Sequence, residues 1–160
     1  MPTRKIREYL DDRGVRYESI RHPKAFTAQR TAQSAHIPGG EVAKTVMVWL
    51  DGRLAMAVVP ASENISLKRL GKATGTKHVV LASEAEFARS FPECEPGAMP
   101  PFGNLYGMEV WVDVALTRDR EISFNAGTHT ELIRMDYREF EDVVRPKVAD
   151  FGAPVAVSSR

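Results

Sequence analysis

Cysteine is nearly missing from this chain: Cys94 is the only one among 160 residues. A single cysteine excludes an internal disulfide and any cysteine-rich zinc site. The four histidines, at positions 22, 36, 78 and 129, show no His-x-x-x-His spacing. A P-loop and a dinucleotide-binding fingerprint are also absent from the sequence. We therefore expect neither a bound metal nor a cofactor.

Long hydrophobic runs and a strong excess of one charge are missing as well. No stretch of about 18 apolar residues occurs, which argues against a membrane-spanning helix. The basic N-terminus, Met-Pro-Thr-Arg-Lys-Ile-Arg, lacks the apolar core of a signal peptide. A formal net charge of +1 argues against a protein that coats nucleic acid through bulk charge. We expect a cytoplasmic protein that binds neither membrane nor DNA.

The pattern of apolar residues predicts one domain, residues 1–150, followed by a frayed tail, residues 151–160. Helices are predicted at Thr3–Arg13, Thr27–His36, Ser66–Thr74, Ser83–Phe87 and Tyr137–Val148. The spacing of Ser83 and Glu86 is that of a capping box. Strands are predicted at Val15–Ile20, Ala43–Leu50, Leu54–Pro60, Lys77–Leu81, Met108–Leu116, Glu121–Phe124 and Glu131–Met135, and Asp51-Gly52 predicts a hairpin between the second and third of them. The order of these elements predicts an α+β fold: a mixed, strongly curved or barrel-like sheet of about seven strands with short helices packed around it.

One predicted strand carries a lysine in register with its apolar face. Lys44 shares that face with Val46, Val48 and Leu50, so its side chain points into the fold. Ion pairing at the mouth of a barrel is the commoner reason for such a lysine, and a catalytic role is the alternative.

Two other stretches have an unusual composition. The segment Pro92–Gly103 holds four of the ten prolines, which indicates a shaped loop within a domain. The tight turn Ala126-Gly127-Thr128 leads to His129, and a lone histidine there is more often a turn residue than a functional one.

Five motifs in this order resemble the YbaK/EbsC family of aminoacyl-tRNA deacylases. They are Ala-Lys-Thr-Val at 43–46, Val-Val-Pro-Ala at 58–61, Gly-x-x-x-Pro at 97–101 continuing as Phe-Gly, Val-Asp at 112–113 and Ala-Gly-Thr-His at 126–129. The family occurs as free-standing ProX-type proteins and as the editing insert of bacterial prolyl-tRNA synthetases. The resemblance implies a trans-editing hydrolase that removes a wrong amino acid from tRNA-Pro or a related tRNA by cutting the ester to the terminal ribose.

The family's functional positions match this sequence residue by residue. The resemblance implies a catalytic set of Lys44, Gly97 and His129, with substrate contacts from the neighbouring Thr45, Met99, Pro101, Phe102, Gly127 and Thr128. An aminoacyl ester is already activated, so the enzyme needs only to position a water molecule and stabilise the oxyanion. A backbone N–H near Gly97 can approach the carbonyl because glycine has no Cβ. Lys44 would hold the ester by charge-assisted hydrogen bonds.

The partner implied by the resemblance is the acceptor end of an aminoacyl-tRNA, with a prolyl-tRNA synthetase as a further candidate. The tRNA contacts are predicted at basic residues, for which a solvated surface is the commoner explanation: Arg30, Lys68, Arg69 and Lys72. Which amino acid is removed depends on small differences in the pocket walls, and cysteine, alanine, serine and threonine all stay open.

Three alternatives accompany this interpretation. The chain could be a non-catalytic relative that binds an aminoacyl or nucleotide ligand or a synthetase. Cys94 could act as a nucleophile with a histidine, although loop cysteines are usually bystanders. Asp113 could orient Lys44, although a strand-end aspartate more often accepts hydrogen bonds from backbone N–H groups.

Overall fold

The structure of the protein, a computed structural model, describes residues 4–24 and 41–154. The α-helices in these ranges are α1 (Arg4–Asp12), α2 (Leu67–Thr74), α3 (Glu84–Phe87) and α4 (Tyr137–Val144). The strands are β1 (Tyr17–Arg21), β2 (Ala43–Leu50), β3 (Arg53–Pro60), β4 (Glu63–Ile65), β5 (Val79–Leu81), β6 (Val110–Asp113), β7 (Glu121–Asn125), β8 (Glu131–Asp136), β9 (Lys147–Ala149) and β10 (Gly152–Pro154). The predicted helix Thr27–His36, which includes Arg30, lies outside the described residues.

The described strands form three sheets. Five strands pair in the order β5-β2-β3-β6-β9, three in the order β1-β8-β7, and β10 pairs with β4. In the largest sheet β2 and β3 are antiparallel, whereas β3-β6 and β6-β9 are parallel. The α+β class and the mixed sheet are therefore confirmed. The single barrel-like sheet of about seven strands is wrong for this part of the chain, because β5 and β9 each end the large sheet instead of closing it.

The β2–β3 hairpin organises the large sheet and follows from local sequence. Asp51 and Gly52 both have positive φ angles, 48° and 85°, which is the geometry of a two-residue hairpin turn. The pairing runs without interruption from Leu50–Arg53 at the turn to Ala43–Pro60 at the open end. The predicted hairpin is confirmed, and its register fixes which face each side chain of β2 occupies.

The two faces of β2 pack against different apolar clusters. Ala43 and Met47 belong to the main core, which also contains the aromatic rings of Phe102, Phe124 and Phe140. Val48 and Leu50 lie on the opposite face, in a second cluster with Val59 of β3, Leu70 of α2 and Phe151. Apolar burial on both faces makes β2 and β3 the central pair of the fold.

Two predicted boundaries near the C-terminus are wrong. Helix α4 ends at Val144 rather than Val148, because Arg145 adopts a left-handed conformation (φ 53°) and Pro146 has no backbone N–H to continue the helix. Strand β6 ends at Asp113, and residues 114–118 form a 3-10 turn.

Part of the predicted frayed tail is a paired strand. Phe151 is fully buried, and residues 152–154 pair with β4. The carboxylate of Asp113 accepts hydrogen bonds from the backbone N–H groups of Phe151 (2.9 Å), Gly152 (2.7 Å) and Ala115 (3.1 Å). Of the two explanations for Asp113, its bonds are therefore those of a carboxylate that satisfies backbone donors.

None of the helices in residues 4–24 and 41–154 is long and apolar enough to cross a membrane.

Candidate functional site

The proline-rich loop, residues 92–103, is hydrogen-bonded to the turn at residues 126–129. The Glu95 N–H donates to the Gly127 carbonyl oxygen, and the Gly127 N–H donates to the Ala98 carbonyl oxygen, both at 2.8 Å. Gly127 makes these bonds with φ at 100°, a conformation that L side chains rarely adopt. The loop and the turn predicted to share a site are thus in direct contact.

His129 anchors the loop at the residue before Gly97. The histidine is buried, its backbone N–H donates to the Glu95 carboxylate (2.8 Å), and its Nε2 lies 2.7 Å from the Pro96 carbonyl oxygen. A carbonyl oxygen only accepts, so Nε2 carries the hydrogen. This contact gives His129 a positioning role toward Gly97; its predicted contact with the substrate or water stays a prediction.

Gly97 requires glycine because of its backbone, not because of crowding. Its φ angle is 82°, in the left-handed region. A Cβ built on it would lie 3.6 Å from the nearest heavy atom, Cε1 of His129, which is ordinary van der Waals contact. The left-handed conformation turns the loop at the point where His129 holds it.

Lys44 lies at the start of β2, half-buried, and its Nζ donates to the Asn64 Oδ1 at 3.1 Å. Burial lowers the pKa of Lys44 from its ordinary value. Among the described residues no carboxylate forms an ion pair with it, which removes the commoner explanation for an inward lysine within these ranges. A half-buried cation whose partner is a neutral amide keeps its charge available for an anionic or polar ligand.

Strand pairing places Lys44 on one face with two polar residues of β7. Val42 forms a parallel bridge with Ser123, and bridged residues share a face of the sheet. Alternate residues of a strand share a face, so Lys44 lies on the same face as Val42, and Asn125 on the same face as Ser123. The bridge makes these one continuous face. We call the surface formed by Val42, Lys44, Ser123, Asn125 and Leu132 the Lys44 face.

Two polar atoms on the Lys44 face are buried without a partner. Ser123 Oγ and Asn125 Oδ1 are inaccessible to solvent, and neither atom has a hydrogen-bond partner within the described part of the chain. Apolar side chains surround them: Leu132 is paired with Asn125 and clusters with Val42 and Ala61. An unsatisfied buried polar group costs about 1–3 kcal/mol, so a ligand that supplies partners here would recover that free energy.

The predicted substrate-binding residues divide between different environments. Thr45 is paired with Val58 on the face of β2 opposite to Lys44. Met99 and Pro101 are buried, and Phe102 is fully buried with its ring 5.3 Å from that of Phe124. The Thr128 hydroxyl accepts a long bond, 3.4 Å, from the backbone N–H of residue 130. Phe102 is thus a core residue, and substrate contacts for this group stay predictions.

Cys94 lacks the properties of a thiolate nucleophile. Burial raises the pKa of its thiol to about 11, so it is protonated at neutral pH. Its sulfur lies 3.9 Å from the Tyr106 hydroxyl. Within residues 4–24 and 41–154, no cluster of three or more His, Cys, Asp or Glu side chains could hold a metal ion.

Comparisons with known proteins add a family and a fold. The sequence model of the aminoacyl-tRNA editing domain matches residues 22–143. A candidate trans-editing enzyme for prolyl-tRNA synthetase superposes with a TM-score of 0.82 at 21% identity, over 95% of this chain and 97% of that one. A hypothetical protein gives a TM-score of 0.83 at 20% identity, over 93% and 99%. No curated protein matches. At these identities the two structures show the fold alone.

Proposed function

The chain belongs to the aminoacyl-tRNA editing domain family, and on that premise we propose that it is a trans-editing hydrolase acting on a mischarged tRNA. The reaction adds water across the ester between the amino acid and the terminal ribose, which releases a free amino acid and a ribose hydroxyl. We propose tRNA-Pro as the first substrate to test, because of the motif resemblance and the shared fold with a candidate trans-editing enzyme for prolyl-tRNA synthetase.

The observation that carries this proposal is the pair of unsatisfied acceptors that strand pairing places on the same face as Lys44. Every aminoacyl ester with a free amino group offers N–H donors one carbon away from the reacting carbonyl. Ser123 Oγ and Asn125 Oδ1 are oxygen atoms that can accept from such a group, and because both are closed to solvent in this structure, adjacent side chains must move when the substrate binds. We therefore assign them to the substrate's α-amino group.

Lys44 is assigned to the developing negative charge. Attack by water converts the carbonyl oxygen to an oxyanion, and a fixed ammonium stabilises that oxyanion more strongly when water is excluded. The partial burial that lowers the pKa of Lys44 is the same property that would strengthen this interaction. The backbone N–H of Gly97, held in place through Pro96 and His129, is the second candidate donor.

Selection among amino acids would follow from the walls of the Lys44 face. Val42, Leu132 and Ala61 are buried apolar residues around the two acceptors, which favours a small side chain. Proline is a secondary amine with one fewer N–H donor than a primary amino acid. A neutral prolyl amine has one N–H for the two acceptors, whereas a neutral primary amine has two, so the site would bind neutral prolyl esters less well.

The test is deacylation of tRNA-Pro charged in turn with alanine, cysteine, serine, threonine and proline. We expect multiple turnovers with one or more of the first four and slow release of proline. N-acetylation of the accepted amino acid should stop its release, because an acetylated nitrogen is uncharged, keeps a single N–H for the two acceptors of Ser123 and Asn125, and carries a bulky acyl group. Saturable binding of these tRNAs and of total aminoacylated tRNA, without any turnover, would contradict the proposal and support a binding protein.

A further inference from the structure

A lysine-rich groove lies between the end of α2 and the start of β5. It has a volume of about 510 Å³, and three of its lining residues are the exposed lysines Lys68, Lys72 and Lys77, with no carboxylate in the lining. None of the three forms an ion pair with a described residue. The whole chain carries a formal net charge of only +1, so this is a local concentration of positive charge.

The structure separates Arg69 from this groove. Its guanidinium is ion-paired with Asp150 (3.0 Å) and donates to the Gly152 carbonyl oxygen, on the side of α2 that faces β10. Arg69 therefore ties α2 to the C-terminal strand. Lys77, which the sequence patterns did not single out, takes its place in the basic set.

Two residues of the groove lining have no side chain. Gly71 packs closely against β5, since a Cβ there would lie 3.3 Å from Val79, whereas Gly75 ends the helix with a left-handed φ of 70° and has nothing within 4 Å of its Cβ position. The lysine side chains therefore stand beside an accessible backbone surface. A chain of phosphate groups can lie along such a groove with a lysine near successive phosphates.

The groove lies on the same side of the sheet as Lys44. Lys44 is paired with Val59, which packs against Leu70 of α2, so α2 covers the face on which Lys44 lies. At the other end of β2, Leu50 is paired with Val79, a residue of the groove lining. Six residues of strand separate Lys44 from Leu50, which corresponds to about 20 Å.

We propose that the groove formed by Lys68, Lys72 and Lys77 binds the phosphodiester backbone of the tRNA acceptor end while the terminal aminoacyl ester lies at Lys44. This inference rests on the proposed function and adds a second contact between the protein and the tRNA, besides the one at the aminoacyl ester. The groove contacts phosphates and so carries no sequence information. It supplies affinity that depends on salt and holds the acceptor end on the same side of the sheet as Lys44, about 20 Å away along β2.

The test compares the wild type with the triple variant Lys68→Gln, Lys72→Gln and Lys77→Gln. Uncharged tRNA-Pro binding is followed by fluorescence anisotropy across a range of salt concentrations. The magnitude of the slope of the logarithm of the association constant against log salt should fall by about 2–3 in the variant, since each of the three lost phosphate contacts removes about 0.7–0.9. Lys147→Gln is the control for loss of a lysine outside the groove: Lys147 is exposed on β9, at the opposite edge of the large sheet, and its charge is already paired with Glu109 (3.8 Å).

A second readout separates the groove from the hydrolytic site. Hydrolysis of an aminoacylated adenosine, which has no phosphodiester group to contact the groove, should proceed equally in the wild type and the triple variant. With aminoacyl-tRNA the variant should show a raised KM and an unchanged kcat. An unchanged salt slope in the triple variant would refute the proposal that the groove binds tRNA, even if aminoacyl-tRNA is still deacylated. An acidic protein surface would then be the remaining candidate partner for the groove. A reduced slope in a protein that hydrolyses no ester supports the groove and refutes the proposed function.

Discussion

Replacing Gly97 by alanine separates the backbone role of the loop from its packing. Gly97 has a φ of 82°, and a Cβ there would make only ordinary contact with His129, at 3.6 Å. The substitution therefore adds no clash. Its cost is the left-handed conformation itself, about 1–2 kcal/mol for a residue with a side chain.

The expected effect on the reaction is larger than the effect on stability. The loop can relieve the strain only by rotating the backbone at residue 97, which moves the N–H that we assign to the oxyanion. Loss of one preorganised oxyanion donor lowers kcat by about 10²- to 10³-fold. The loss of 1–2 kcal/mol in unfolding free energy should lower Tm by about 2–4 °C per kcal/mol.

Gly52→Ala is the matched control, because Gly52 has nearly the same φ, 85°, and also has open space around its Cβ position. Both variants are compared by urea unfolding and by single-turnover deacylation of the accepted mischarged tRNA. We expect similar losses of stability and a large loss of rate in Gly97→Ala alone. Equal deacylation rates in the two variants would refute a catalytic role for the loop.

Three further predictions concern buried polar groups. Ser123→Ala should leave the free energy of unfolding unchanged or raise it, because the Ser123 hydroxyl has no partner in the described chain. In the control, Ser19→Ala, the free energy of unfolding should fall by about 1 kcal/mol, because the Ser19 hydroxyl donates to Glu131. A larger loss of stability at Ser123 than at Ser19 would contradict the assignment. Asn125→Leu should likewise keep stability while lowering kcat/KM by about 10- to 100-fold. Cys94 should react with iodoacetamide about 100-fold more slowly in the folded than in the unfolded protein at pH 8, because burial raises its pKa from 9.0 to about 11. Its rate should rise about tenfold per pH unit up to that pKa, and equal rates in the two states would show that the thiol is not buried.

The sequence predicts those elements that depend on interactions between neighbouring residues. The hairpin at Asp51-Gly52 and the capping box from Ser83 to Glu86 both form as predicted, since each depends on a few neighbouring residues. The end of α4 could also be predicted from local sequence, because Pro146 cannot continue a helix, but the predicted helix extends past Pro146 to Val148. Strand β10 was not readable in this way. It has three residues and is held by β4 and by the Asp113 carboxylate, both distant in sequence.

The candidate site shows the same division. Contact between the Gly97 loop and the His129 turn was implied only by the family resemblance, since more than 30 residues separate them. Ser123 and Asn125 were missed, although they alternate with Ile122 and Phe124 along β7. That alternation normally indicates a solvent-exposed polar face. The bridge between Val42 and Ser123 brings the chain at the start of β2 next to this face of β7. The two segments are distant in sequence, so no local pattern predicts their pairing.

The most direct test of the account is the multiple-turnover deacylation rate of Lys44→Met beside the wild type, on whichever mischarged tRNA the wild type accepts. Methionine keeps the length of the apolar stem and removes the ammonium, so the fold should be retained when checked by circular dichroism and urea unfolding. We predict a rate at least about 100-fold below that of the wild type, as expected for loss of an oxyanion-stabilising charge. A folded Lys44→Met protein that deacylates at the wild-type rate would contradict the assignment of the reaction to the Lys44 face.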